Sequence, residues 1–301
     1  MSKKETVYFK RSKYRANDFS VNDLPLTRKS QFFDIFKHEW KTLLLIGLLL
    51  LLFSLPYLAV NFVHWFIRVN LPAQLSSGGS NEEQIYQALQ FTEIIYELAL
   101  IPMTLIVVIP IAGIARVLKR LVHGEGLLFK SDFVEGIKLN IVQFLLITLI
   151  YAVLRFTTQF IYIYIGDIPF ISTIIRGVSM GVLYALFLPI LLFMLAQANI
   201  YKMNLGTNFK NSYQLAIRSI LVMLVFSFII FGVYFLRYIQ NIILQLGICT
   251  IVILVLAPLY LLALSLYTMS KFDKYINEEN YKEIYRKGLR PYDAAHKTDN
   301  L

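Results

Sequence analysis

Six long apolar stretches, separated by polar and basic segments, dominate the pattern along the chain: roughly 43–66, 95–116, 139–160, 178–200, 217–237 and 244–268. Each reaches the ~20 residues that a helix needs to cross a bilayer. The pattern therefore predicts an all-α fold, a polytopic membrane helix bundle of six transmembrane helices arranged as three hairpins. The first apolar run begins near Leu43, behind some forty mostly polar residues. That leader is too long for a secretory signal, so the run is expected to remain as a membrane helix. Residues 160–176 are apolar too, but Gly166, Asp167 and Pro169 interrupt them. They read either as an outer interfacial segment or as an extra partial span. Ser76–Ser80 reads as a flexible outer turn, followed from Glu82 to Glu93 by a short amphipathic helix leading into the second span.

Composition agrees: 57% of residues are hydrophobic and 16% charged, more apolar surface than a soluble domain of this length hides. The net charge of +10 acquires meaning from its placement. Ten Lys and Arg precede the first span, five lie in 116–138, three in 202–218 and seven from Lys271 onward. Only Arg68, Arg155, Arg176 and Arg237 fall on the other side, which places both termini in the cytoplasm by the positive-inside rule. Charge distributed in this way also argues against nucleic acid as a partner and for the lipid bilayer itself. The single cysteine, Cys249, excludes a disulfide within the chain.

A threefold repeat is expected within the membrane domain, 31–270, at about 31–120, 131–200 and 211–270. Before each odd span an aromatic residue is followed four places later by an apolar and then a basic one: Phe32, Phe36, Lys37; Phe133, Ile137, Lys138; Tyr213, Ile217, Arg218. Each reads as an amphipathic cytoplasmic elbow helix, the middle one opened by a capping box of Asp132 and Glu135. Each even span carries a proline that kinks it: Pro110, Pro189 and Pro258. Flanking this domain are a basic aromatic arm, 1–30, and a tail, 271–301. Tyr275, Tyr281, Ile284 and Tyr285 at helical spacing suggest that the tail lies along the membrane surface.

Candidate chemistry is sparse. The odd spans end in Arg68, Arg155 and Arg237, which either snorkel to outer headgroups or ring a pocket for an anionic or hydroxyl-rich ligand. Glu97, the acidic residue inside a predicted span, is either a carboxylate hydrated near the interface or an ion-pair partner of Arg155 or Arg237, or a proton-coupling group. His38, His64, His123 and His296 show no metal-ligand spacing, so no metal and no cofactor is expected. His123–Gly126 reads as a tight turn, not a phosphate loop. Gln143, Gln159 and Gln245 read as amides bonding across helices, and Gly113, Gly177, Gly181 and Ala115 as small residues at helix contacts. With no nucleophile elbow or Ser-His pair, an enzyme is not expected.

The stretch Ile111–Leu145, with small residues, a basic helix end, the His-Gly-Glu turn and then Asp-Phe, resembles the YesL-like family of bacterial integral membrane proteins. Residues 48–56 and 272–289 are similar to that family's opening helix and C-terminal end. The resemblance implies a bacterial plasma membrane and a setting of carbohydrate uptake. It implies a non-catalytic accessory subunit of an ATP-binding-cassette importer, with permease subunits as partners. The aromatic anchors Tyr8, Phe9, Tyr14 and Phe19 of the arm are candidates for docking such a partner, or the arm is held by anionic lipid. The alternative function is a stand-alone transporter or channel for a small polar solute.

Overall fold

The computed structural model describes residues 24–164 and 169–291; Tyr8, Phe9, Tyr14 and Phe19 of the arm, Gly166, Asp167 and His296 lie outside them. All regular structure among the described residues is helical, and six helical stretches are long and apolar enough to cross a membrane. This is an all-α, multi-pass membrane bundle. In chain order it comprises α1 (Arg28–His38), α2 (Trp40–Ser77), α3 (Glu82–His123), α4 (Phe129–Tyr164), α5 (Pro169–Gly181), α6 (Leu188–Ile200), α7 (Leu205–Arg218), α8 (Ile220–Tyr234), α9 (Ile242–Ile251), α10 (Ala257–Phe272) and α11 (Glu278–Asn280). The spans are α2, α3, α4, α5 with α6, α8, and α9 to α11.

The helices run well past the apolar windows. The 42 residues of α3 reach roughly 63 Å, about twice the hydrocarbon thickness, because its polar first turns are capped rather than broken. The Asn81 side chain accepts from the Gln84 N–H while the Gln84 side chain accepts from the Asn81 N–H. Residues 82–93 are thus the start of α3 itself. Its other end closes at Gly124, in the left-handed conformation (φ 66°), so His123–Gly126 is a turn.

Two of the three elbows are separate helices. α1 breaks from α2 at Glu39 (φ −118°, ψ 23°), and α7 breaks from α8 at Ser219 (φ −128°, ψ 19°). The middle one is not: α4 runs unbroken from Phe129 into its span. Asp132 lies inside the first turns of α4 instead of capping them. Its carboxylate accepts from the Leu128 N–H and from Arg120 Nε, while Glu135 pairs with Arg116 at 2.6 Å. The prolines divide likewise. Pro189 and Pro258 each follow directly on a π turn, Val182–Phe187 and Val252–Leu256, whereas Pro110 sits in continuous helix. A π turn accommodates the N–H that proline lacks by changing the local hydrogen-bond register.

Close helix approaches explain some of the small residues. A Cβ on Gly113 would meet the Phe133 ring at 2.6 Å, and one on Gly136 would meet Gly113 O at 2.9 Å, so α3 and α4 touch backbone to backbone. Gly47 of α2 abuts Leu254 O, where an added Cβ would stand 2.0 Å away. That carbonyl is the one Pro258 leaves without an α-helical partner, and the Gly47 Cα faces it. Gly177 and Gly181, by contrast, have no neighbour within 4 Å of a built Cβ and are not packing contacts.

At the end of the bundle that gathers α1, the turn after α3 and the C-terminal segment, here termed basal, the described part of the tail folds back. Positive φ at Arg286 (51°) and Gly288 (83°) turns residues 281–290 back onto the bundle. Arg28, 8% exposed, donates to Asp273 (2.7 Å), Gln31 (2.9 Å), Lys287 O (3.0 Å) and Val122 O (3.4 Å). Burial pulls its guanidinium below the ordinary arginine value, and Asp273 pushes back. Beside it Lys287 pairs with Glu125 at 2.6 Å. With His123 and then Lys287 next to it, the Glu125 carboxyl is held down to about 2. A depressed carboxylate lends stability in full above its ordinary value and loses it only as pH falls toward 2, so this tie is intact throughout the physiological range.

Candidate functional site

At the opposite, distal end the polar residues of four spans converge. On α2, Tyr57, Asn61, His64 and Arg68 recur at intervals of four, three and four and so share one face; on α3, Glu93, Tyr96 and Glu97 do the same. These two faces meet. The Tyr96 hydroxyl donates to Asn61 Oδ1 at 2.7 Å, the His64 ring stacks on Tyr96 at 3.8 Å, and His64 Nε2 lies 3.1 Å from Glu93.

Glu97, 2% exposed, receives two guanidinium groups, Arg155 of α4 at 2.8 Å and Arg237 after α8 at 2.6 Å. Arg237 reaches on to Glu93 at 2.9 Å and lies over the rings of Tyr96 and Tyr234. Arg155 and Arg237 therefore do not snorkel. They point inward, and Glu97 is an ion-pair partner, not a hydrated carboxylate. Arg68 differs: its side chain is 52% exposed and 3.5 Å from Glu93. Two carboxylates thus face two buried guanidinium groups, with Arg68 a third, more exposed cation at Glu93.

Beneath the cluster lies a cavity of about 610 Å³. Tyr57, Tyr96, Tyr151, Tyr184, Tyr234 and Tyr260 line it, together with Arg155, Arg237, Asn61 and Gln245 among the polar groups. Tyr234 donates to Gln159 Oε1 at 3.0 Å. Gln143 bonds Met203 O at 2.9 Å, so both of these amides do bridge elements. Gln245 departs from that expectation: its Oε1 is buried with no partner, and it borders the cavity. Cys249, one turn further along α9, borders it too. The described residues contain no cluster of three or more metal-ligating side chains. Pro189 and Pro258 bear on the site through their π turns, since Tyr184, Val252, Ile253 and Leu256 all line the cavity.

Reading the sequence for isolated charges singled out Glu97, Arg68, Arg155 and Arg237, and the structure brings the first, third and fourth into direct contact. It missed Glu93, His64, Asn61 and the tyrosines. Their signal was the three- and four-residue spacing of polar groups on the distal halves of α2 and α3. Comparison of the chain with family models, curated proteins and solved structures gives no match. The geometry of the cavity is therefore the ground on which function is argued.

Proposed function

We propose that this protein is a solute-uptake component of a bacterial plasma membrane that takes a small, uncharged, hydroxyl-rich solute into the distal cavity. The observation that carries the reading is the cavity wall: one tyrosine from each of the six spans, the amide of Gln245, and arginines already paired with Glu97 and Glu93. Aromatic faces pack against the C–H surfaces of a polyol or sugar, while phenol, amide and guanidinium groups bond its hydroxyls. An anionic solute is disfavoured at the buried arginines because Glu97 and Glu93 already pair with them. At about 610 Å³ the cavity lies within the range of roughly 300–1,000 Å³ typical of small-molecule sites. The distribution of Lys and Arg favours a cytoplasmic basal end, so the distal cavity faces outward. No catalytic step is assigned to it.

Cys249 provides the test, because it borders the cavity and is the sole cysteine. A membrane-impermeant maleimide added outside intact cells is expected to label it, and neutral mono- or disaccharides are expected to slow labelling at least fivefold. Equal protection by sugar phosphates, or none by any sugar, would refute the reading.

A second reading, an accessory subunit of an importer, draws on the resemblance to YesL-like proteins and on the exposed apolar residues of the basal helices. Phe33 and Phe36 on α1, and Phe209, Tyr213 and Ile217 on α7, are open to a membrane or partner surface. Stoichiometric recovery of importer permeases with the tagged protein from native membranes would favour it; recovery of the protein alone would count against it.

A further inference from the structure

A second cavity, of about 320 Å³, lies on the basal side of the first. Residues of all six spans border it, most of them from spans one, two, four and six, and it reaches Asn199, Ser265 and Thr268 toward the basal end. Its wall and that of the distal cavity have four residues in common: Ile230, Ile253, Ala257 and Tyr260. Three of the four belong to one short stretch of span six, the π turn and the first turn of α10. The Tyr260 ring packs edge-on against Phe226, and its hydroxyl is 3.3 Å from Phe226 O. Tyr260, braced against span five, is the largest of the side chains that border both spaces.

We propose that the two cavities are the halves of a single solute path through the bundle, closed at the Tyr260 ring. This deepens the reading of the distal cavity as a solute site and rests on it. The position of the wall supports the proposal. Span six is least rigid where Val252–Leu256 forms a π turn and Pro258 removes a backbone donor, since fewer regular helix bonds hold it there. The contact of Gly47 with Leu254 O places span one directly on that turn. Span four repeats the device on the facing side of the distal cavity, where the π turn before Pro189 carries Tyr184. Irregular helix of this kind is tolerated at membrane depth where it borders a cavity.

The test uses Ser265→Cys, in the basal cavity, on a Cys249→Ser background, with a membrane-impermeant maleimide outside intact cells. With Tyr260 present the new thiol is expected to remain unlabelled; Tyr260→Ala is expected to raise its labelling at least tenfold. Should Tyr260→Ala not yield a monodisperse protein, Ile253→Ala thins the same wall and is held to the same criterion. Labelling unchanged by either variant, with native Cys249 reactive, would overturn the path and leave the distal solute site standing. Native Cys249 unreactive from outside would overturn both.

Discussion

Glu97→Gln is expected to destabilise the bundle by about 3–5 kcal/mol, the cost of removing one partner of a buried ion pair. The carboxylate is 2% exposed and serves two guanidinium groups. Glutamine keeps the shape and one acceptor but leaves Arg155 without an ion-paired carboxylate among the described residues. Arg237 keeps Glu93. The loss should therefore be larger at Arg155, and adding Arg155→Gln to Glu97→Gln should recover part of it, as coupled neighbours do. Thermal unfolding of the detergent-solubilised protein, followed by its elution as a single species, measures both effects. An unchanged midpoint for Glu97→Gln would mean that water, not arginine, satisfies this carboxylate.

Arg28→Ala should act at the other end with comparable size but a different readout. Arg28 ties α1 to the end of α3, to Asp273 and to the returning C-terminal segment through three hydrogen bonds. Alanine leaves Asp273, 7% exposed, without its cation, again about 3–5 kcal/mol. Residues 281–290 are a short returning segment, held besides by Gln31 to Gly288 O, Arg290 N–H to Pro25 O, Arg286 to Asp273 and Leu26 O, and Lys287 to Glu125, so with Arg28 gone they should loosen locally before the bundle melts. Limited trypsin digestion then should cut after Lys282, Arg286 and Lys287 much faster than in the parent, with the spans still intact. Equal digestion rates would show that other contacts hold the segment.

Much of the fold was legible because apolar length and the absence of charge determine what crosses a bilayer, and six such runs stand in the chain. What was not legible depends on distance between helices. Gly113 and Gly181 look alike in sequence, yet one has a phenylalanine ring against it and the other has open space. Glu39 and Ser219 break their elbows from the following spans while residues 129–138 run straight on, although all three segments share an aromatic-apolar-basic pattern. That pattern describes a surface-lying face and says nothing of the backbone at its end. Similarly, Arg155 and Arg237 read as interfacial because each sits near the end of an apolar run. Only the approach of α3 turns them inward onto Glu97. The tyrosines drew no attention singly, since a Tyr near a membrane surface is ordinary; convergence on one cavity makes them a site.

The most direct test of the central claim, that the distal cavity takes a neutral hydroxyl-rich solute, is calorimetric titration of the purified protein with matched neutral sugars and sugar phosphates. The parent should bind a neutral sugar and ignore its phosphate, and Gln245→Leu, which removes the polar amide from the wall, should weaken that binding at least tenfold without changing thermal stability. Preference for the phosphate, or neutral-sugar binding indifferent to Gln245→Leu, would contradict the account.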